Sequence, residues 1–215
     1  MTTHPDERRL LVSARQVARF WGVTPIAVRQ ASDTGLLTPH RTARAGAAED
    51  ADVVHYDADE VLEMGRRAFI DERHLVSAFD DWSVLFVQQA GPRWLHHTDD
   101  DFSWRTMWGW TAEASDEEKL LSASGWWPVD HRRRDGVRAI VSTVSSFVVT
   151  LAVVDPEQPV ADERPDIGRV RFNVAPATEE TTVGRALLAV FSGRRIPVKS
   201  GSNRLIPRPG GSALG

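Results

Sequence analysis

The chain of 215 residues contains no cysteine, which excludes disulfide bridges, thiolate catalysis and zinc sites with cysteine ligands. Lysine is scarce too, since Lys119 and Lys199 are the only lysines among 26 basic residues. No apolar run reaches the length of about 18 residues that a membrane-spanning helix needs. The first residues, MTTHPDERR, lack the charged-then-apolar order of a secretory signal. We therefore expect a cytoplasmic protein of one large or two small domains, with no membrane partner.

Motifs for catalysis and metal binding are also missing. The chain has no phosphate-binding glycine loop, no HExxH and no GxSxG sequence. The pattern that comes nearest to a metal cluster is His96-His97 followed by three aspartates at 99–101. Adjacent histidines point apart in regular secondary structure, and three successive aspartates are typical of a solvated loop or a helix cap. We therefore expect no enzymatic activity, no cofactor and no metal site.

Charge is distributed unevenly around a net of −4. Residues 1–70 carry a net charge of −1, residues 71–130 carry −8 and residues 131–215 carry +5. A change of sign along the chain indicates segments with different tasks.

Residues 13–41 have the pattern of two short helices joined by a tight turn. Ser13 is placed to cap a first helix whose apolar face is Val17, Phe20 and Trp21. Gly22 supplies a left-handed turn conformation. Thr24 then caps a second helix that begins at Pro25, where a missing N–H costs nothing.

The spacing within this segment predicts a DNA-binding helix-turn-helix. A small residue, Ala18, lies four positions before Gly22, where the two helices approach each other closely. Ile26 and Val28 are expected to pack back on the first helix, while Arg29 and Gln30 fall near the exposed side. The second helix of such a motif enters the major groove. The alternative is an ordinary pair of packed helices.

The string VARFWGVTPIAVRQASDTGLLTPHR, followed by VVHYDADEVLEMGRRA, resembles the N-terminal winged helix of MerR-type regulators and of phage excisionases. The resemblance covers about residues 11–68 and implies a wing over residues 42–53, with helix resuming after Tyr56. It also implies that Arg29 lies in the groove or on a phosphate, and that Arg41, Arg44 and Tyr56 belong to the wing. The matching residues are Val17, Ala18, Gly22, Val23, Thr24, Val28, Arg29, Gly35, Leu36, Leu37, Pro39 and Arg41.

Because this segment is nearly neutral, the attraction to DNA must come from individual arginines, and not from bulk charge. Three acidic residues in the wing, Glu49, Asp50 and Asp52, would repel phosphate. The residues expected to contact double-stranded DNA are Arg15, Thr24, Pro25, Ile26, Arg29, Gln30, His40, Arg41, Arg44 and Tyr56.

The middle of the chain is acidic and rich in tryptophan. Residues 69–90 show apolar residues at spacings of three and four, which predicts an amphipathic helix. Gly91-Pro92 ends this helix too early for the coiled-coil dimer of MerR regulators, so we expect it to pack on a downstream domain. Residues 93–130 hold six of the eight tryptophans. These are interpreted as core anchors, with a ligand or base pocket as the alternative.

From Val137 onward the pattern favours β structure. Residues 137–155 are dense in β-branched residues and turn at Ser145-Ser146. Residues 169–177 alternate as a half-buried strand, residues 184–191 have helical spacing, and residues 156–167 read as a loop. The layout resembles small PUA-like β-barrels. That resemblance implies a base pocket of aromatic residues near Trp126 and Trp127, which are otherwise core.

The segment 192–208 is basic and contains no acidic residue. Together with Arg132, Arg133 and Arg134 it forms a basic patch. One hypothesis is that it binds the DNA backbone, and the other is that it docks on the acidic middle. The residues in question are Arg194, Arg195, Lys199 and Arg204.

The sequence therefore predicts an α+β protein with an N-terminal winged helix-turn-helix at residues 11–68. A helical connecting segment follows at 69–117 and a small β-barrel-like domain at 118–208, and the ends, 1–10 and 209–215, are expected to be flexible. The expected function is sequence-specific DNA binding, with residues 24–32 reading the major groove in a bacterial or phage transcriptional regulator. The alternatives are an architectural recombination protein of phage type, or a regulator that senses an effector in a tryptophan-lined pocket.

Overall fold

The computed structural model describes residues 10–42, 53–70, 79, 82–95, 104–197 and 204–206. Within these residues the protein is an α+β structure, as expected, and it contains six helices and thirteen strands. None of the helices in the described ranges is long and apolar enough to cross a membrane.

Residues 10–70, here called the N-terminal unit, combine three helices with a small antiparallel sheet of strand order β1-β3-β2. The elements are β1 (Leu11–Ser13), α1 (Ala14–Trp21), α2 (Pro25–Asp33), β2 (Pro39–Thr42), β3 (Val53–Asp57) and α3 (Ala58–Gly65).

The ends of α1 and α2 follow from local sequence, and the prediction of both helices is confirmed. The Ser13 hydroxyl accepts a hydrogen bond from the Gln16 N–H, and Gln16 in turn accepts one from the Ser13 N–H, which completes a capping box. Gly22 ends α1 in the left-handed conformation with φ of 69°. The Thr24 hydroxyl then accepts the Ala27 N–H at the start of α2.

The core of the N-terminal unit forms around Val17, Trp21, Val28 and Ala31, which are all buried. The expectation that Ile26 packs with Val28 is wrong, because Ile26 is 73% exposed. Successive helix residues are about 100° apart. Ile26 and Val28, at positions i and i+2, are therefore about 200° apart around the helix and cannot share one core.

The described residues from 79 onward, here called the C-terminal unit, are built on a five-stranded sheet of order β12-β9-β8-β4-β13. Its central strands β4 and β8 are parallel, and the other pairs are antiparallel. The strands are β4 (Ser83–Gln88), β8 (Val137–Val144), β9 (Phe147–Val154), β12 (Val174–Pro176) and β13 (Arg204–Ile206).

The predicted helix over residues 69–90 is wrong where the structure describes it, because Ser83–Gln88 is strand β4. Residues 71–78 and 80–81 lie outside the described part of the chain. The run SVLFVQ is covered on both faces: Val84 and Phe86 pack with Phe191 on one side, and Leu85 and Val87 pack with the opposite core. A strand buried on both faces loses the alternation that normally identifies it, and a short apolar run does not distinguish strand from helix.

The remaining elements cover the two faces of the large sheet. Helix α6 (Thr182–Phe191) lies on one face, and a three-stranded sheet of order β10-β11-β7 lies near the other. The smaller elements are β5 (Arg93–Trp94), β6 (Met107–Trp108), α4 (Asp116–Ser124), β7 (Gly125–Trp127), α5 (His131–Arg134), β10 (Val160–Arg164) and β11 (Arg169–Phe172).

Several local predictions for this half of the chain are confirmed. The hairpin β8–β9 turns at Ser145-Ser146, and α6 contains the predicted helix 184–191. The predicted strand 169–177 alternates as expected, but it divides at Asn173 between two sheets. The predicted loop 156–167 contains β10. The closed barrel is not confirmed, since β12 and β13 are edges of the sheet in the described chain.

Candidate nucleic-acid interface

Helix α2 presents three different sides. Its core side, with Val28 and Ala31, is buried in the N-terminal unit. Its outward side carries Ile26, Arg29 and Asp33, which are exposed. The third side, here called the docked flank, consists of Ala27, Gln30 and Thr34, whose spacing of three and four residues places them in one row.

The outward side is supported from behind by Tyr56 of β3. The Tyr56 side chain is 1% exposed, and its hydroxyl is hydrogen-bonded to the Ser32 side chain. Burial is the main cause that raises the pKa of this hydroxyl, and the hydrogen bond from Ser32 opposes it. The expectation that Tyr56 contacts DNA is not met, because its side chain is part of the core and holds α2 against the hairpin.

The hairpin β2–β3 lies beside α2. Its register pairs Pro39 with Tyr56, His40 with His55 and Arg41 with Val54. Arg41 is exposed and His40 is half-buried. The connection between the two strands, residues 43–52, lies outside the described residues, and with it the expected contact Arg44.

The other expected contacts are distributed around this surface. Arg15 is exposed on α1, and Thr24 is exposed at the start of α2. The Thr24 hydroxyl is already engaged as the cap of α2. Pro25, at the first position of the helix, is half-buried. Of the predicted residues on α2 itself, Ile26 and Arg29 are therefore the two with free, exposed side chains on the outward side.

The docked flank is held by the C-terminal unit. The Gln30 side-chain amide donates to the Gln89 carbonyl at 2.7 Å, and the Ala112 N–H donates to the Thr34 carbonyl at 2.8 Å. At the N-terminal end of this flank, the Ser145 hydroxyl donates to the Ala27 carbonyl. Gln30 was expected to contact DNA, but its side chain is engaged with the other unit. For the contact between Ser145 and Ala27, the sequence contains only a weak signal, which is the pair of serines in a tight hairpin turn.

A second joint between the two units forms around Arg195, which is 2% exposed. Its guanidinium donates to the Trp21 carbonyl and to the Ser146 hydroxyl. It also lies 4.2 Å from the ring centroid of Phe69 and 4.8 Å from that of Phe147. Burial lowers the pKa of this guanidinium to about 10, so it stays charged at neutral pH.

This placement corrects the hypothesis that Arg195 binds the DNA backbone. It also differs from the alternative, because Arg195 contacts the N-terminal unit and not the acidic middle. Arg194 is exposed, whereas Lys199 lies outside the described residues, as does the side chain of Arg204 in β13. Arg134 of the expected basic patch is paired with Glu163.

A groove of about 820 Å³ separates the start of α2 from the C-terminal unit. Val23, Ile26 and Phe69 of the N-terminal unit line it, and so do Ser146 and Pro197 of the C-terminal unit. A second groove, of about 550 Å³, lies between α5 and the β10–β11 hairpin and is lined by His131, among others. Neither groove has a tryptophan among its described lining residues.

The described tryptophans of the middle segment are instead packed on arginines or on the core, except Trp94, which is 55% exposed. The Arg105 guanidinium lies 3.6 Å from the ring centroid of Trp108 and 4.5 Å from that of Trp104, and it donates to the Gly125 carbonyl at 2.6 Å. Burial, and then the charge of Arg171, lower the pKa of Arg105 to about 10. The space between Trp104 and Trp108 is therefore filled by the protein itself.

The aromatic pair expected at a base pocket is also in the core. Trp126 is buried, and the Trp127 indole donates to the Ala123 carbonyl at 2.7 Å. The histidine and aspartate cluster at 96–101 lies outside the described residues. Among the residues that are described, no group of three or more such side chains is placed to hold a metal ion.

Comparison with family models, with curated proteins and with solved structures found no match to this chain.

Proposed function

We propose that the protein is a sequence-specific DNA-binding regulator that reads the major groove with the outward side of α2. The observation that carries this proposal is the exposure of Ile26 and Arg29 on a short helix that is fixed by a core on its opposite side. An isoleucine that is 73% exposed contributes nothing to that core. On the exposed side of a helix that reads DNA, this side chain is available to contact a base.

The two side chains suit two kinds of base contact. A guanidinium donates two parallel hydrogen bonds to the O6 and N7 atoms of guanine, and an apolar side chain contacts the methyl group of thymine. In this proposal Arg29 supplies the first contact and Ile26 the second. Arg15 and Arg41, both exposed, bind phosphates and set the position of the helix on the duplex.

The finer assignment is a winged helix-turn-helix. Helices α1 and α2 supply the helix pair, and the hairpin β2–β3 supplies the wing beside it. The same surface also serves an architectural protein that bends DNA without regulating transcription. Electrophoresis of DNA fragments carrying the bound site at different positions separates these two, since a bent site changes mobility with its position.

Effector sensing is a second candidate function, and the groove beside α2 supports it. That groove has the size of ordinary small-molecule sites, and Ile26 is shared between it and the outward side of α2. The tryptophans do not contribute to it. An effector at this place would act directly on the helix that is proposed to read DNA.

The test of DNA reading starts with selection of bound duplexes from random sequence, followed by footprinting of the selected site. Arg29→Ala is then expected to weaken binding to that site by about 1–3 kcal/mol, with an unchanged melting temperature. Arg185→Ala is the matched control, because it removes the same charge from an exposed position on α6. Equal affinity of the Arg29 variant and the wild type would exclude Arg29 from the interface.

A further inference from the structure

We infer that the arrangement of the two units is a closed state, in which the C-terminal unit occupies one flank of α2 and must leave it before α2 enters a major groove. This inference rests on the proposed function. It concerns the docked flank, formed by Ala27, Gln30 and Thr34, and not the outward side.

A helix with its side chains is about 10–12 Å in diameter, and the major groove is about 12 Å wide. A helix lying in the groove therefore has a sugar–phosphate strand close to each of its two flanks. Both flanks must be open at the same time.

Only one of the two flanks of α2 is open in this structure. Near Arg29 and Asp33 the helix is exposed and adjoins the hairpin through Tyr56. On the docked flank each of three successive positions has a partner in the C-terminal unit: Gln89, Ser145 and Ala112. These atoms occupy the volume that a phosphate strand would need.

The contacts on the docked flank are of a kind that can open. They are two hydrogen bonds accepted by backbone carbonyls of the helix, at Ala27 and Thr34, and one donated by the Gln30 side-chain amide. All three groups can bond to water instead, and the amide can also donate to a phosphate oxygen. The apolar contact between the units adjoins this flank, because Phe147, two residues after Ser145, packs edge-on against Trp21 with ring centroids 4.8 Å apart. Opening the flank therefore needs a rotation of the C-terminal unit about the joint of Trp21, Phe147 and Arg195.

The hairpin turn that contacts the Ala27 carbonyl has unusual backbone angles. Ser145 and Ser146 have φ of 52° and 85°, values that are uncommon for residues other than glycine. A two-residue hairpin turn of type I′ needs positive φ at both of its central residues, so the turn between β8 and β9 fixes this conformation. Here it positions the Ser145 hydroxyl on the Ala27 carbonyl.

A reversible cross-link tests the inference in the full-length protein. A Cβ at Gly35 would lie 3.4 Å from the Cβ of Ala112, close to the separation of about 3.8 Å in disulfides. Since the chain has no cysteine, the double variant Gly35→Cys/Ala112→Cys contains a single pair of thiols. Oxidation fixes the flank in its docked position, and reduction releases it.

The measurement is the affinity for the selected duplex by fluorescence anisotropy, before and after addition of a reductant. We expect the oxidised double variant to bind at least about tenfold more weakly than the same protein reduced. The two single-cysteine variants are the controls and should not respond to the oxidant. Equal binding by the oxidised and reduced forms would overturn the closed state.

A second variant guards against strain at Gly35, which has φ of 71°. Ser145→Gly removes the hydroxyl that is bonded to the Ala27 carbonyl. It also removes the Cβ that makes positive φ unfavourable at this position. It is expected to bind the duplex more tightly than the wild type by a factor of about 2–10. Affinity equal to or lower than that of the wild type contradicts the inference.

The two proposals fail in different ways. If neither the wild type nor the reduced double variant selects any DNA sequence, DNA reading itself is wrong. If both bind with a dependence on Arg29 but neither the cross-link nor Ser145→Gly changes the affinity, DNA reading stands and the closed state is wrong.

Discussion

At the scale of single residues, conformation and burial decide more than residue type does. Gly22 has φ of 69°, and the space around it is open, since a Cβ added there would meet no atom within 4 Å. The requirement for glycine is therefore one of backbone conformation. Arg195 shows the opposite case, in which a residue normally found on the surface is buried because its donors and its flat guanidinium find partners there.

Substitution of Gly22 is expected to follow the tolerance for positive φ. Asn is accommodated best, Ala costs about 1–2 kcal/mol and the β-branched Val costs more. The free energy of unfolding, measured by denaturant titration for the three variants, should decrease in the order Gly, Asn, Ala, Val. If Ala were as stable as Gly, the turn after α1 would not have the left-handed conformation.

At the scale of elements, the sequence predicted helices more reliably than strands because the signals at helix ends are local. Ser13 and Thr24 each cap the helix that follows them. The burial of β4, by contrast, depends on β8 and β13 on either side of it. β8 begins about fifty residues later in the chain and β13 more than a hundred later, so no short-range pattern contains that information.

The same limit applies to the candidate interface. The exposure of the Arg29 side chain was predictable from the helical spacing of the residues in α2. The engagement of Gln30 was not, since its partner Gln89 lies 59 residues away. Tyr56 was assigned to the surface by the resemblance, although its contact with Ser32 places it in the core.

Helix α4 permits a test of pH dependence. The Glu118 carboxylate accepts hydrogen bonds from the Ser115 N–H at 2.9 Å, from the Ser115 hydroxyl at 3.0 Å and from the Thr106 hydroxyl at 3.0 Å. The bonds from Ser115 are the main cause that lowers the pKa of Glu118 below its ordinary value of 4.5. Because the folded state favours the ionised form, the stabilisation is complete above pH 4.5 and is lost as the pH falls through the lowered pKa.

Glu118→Gln is therefore expected to have a lower free energy of unfolding than the wild type at neutral pH. Its free energy of unfolding should also change less than that of the wild type as the pH falls. The measurement is the free energy of unfolding between about pH 6 and about pH 3. Glu117→Gln is the control, since Glu117 is exposed and one position earlier in the same helix. Parallel pH curves for the wild type and Glu118→Gln would show that the capping box does not hold the ionised carboxylate.

At the scale of the whole molecule, the described contacts between the two units lie on the docked flank of α2 and around Arg195. Arg195 connects the Trp21 carbonyl of the N-terminal unit with the Ser146 hydroxyl of the C-terminal unit, 174 and 49 residues away along the chain. Its own backbone also pairs with Ala68 and Ile70. A single buried cation thus sets how α1 meets the hairpin turn of β8–β9.

Substitution of Arg195 should separate the unfolding of the two units. Arg195→Ala removes hydrogen bonds from a charged donor and leaves a cavity between Phe69 and Phe147, for which we expect a loss of about 2–4 kcal/mol. Arg195→Met keeps most of the volume and should lose less, so the difference between the two variants measures packing.

Thermal unfolding followed by both tryptophan fluorescence and far-ultraviolet circular dichroism is expected to show one transition in the wild type and two in Arg195→Ala. Arg194→Ala is the matched control, because it removes the same side chain from the adjacent exposed position and should change stability by no more than about 0.5 kcal/mol. A single transition at the wild-type temperature in Arg195→Ala would mean that the units are held together by other contacts, and that the buried guanidinium does not couple them.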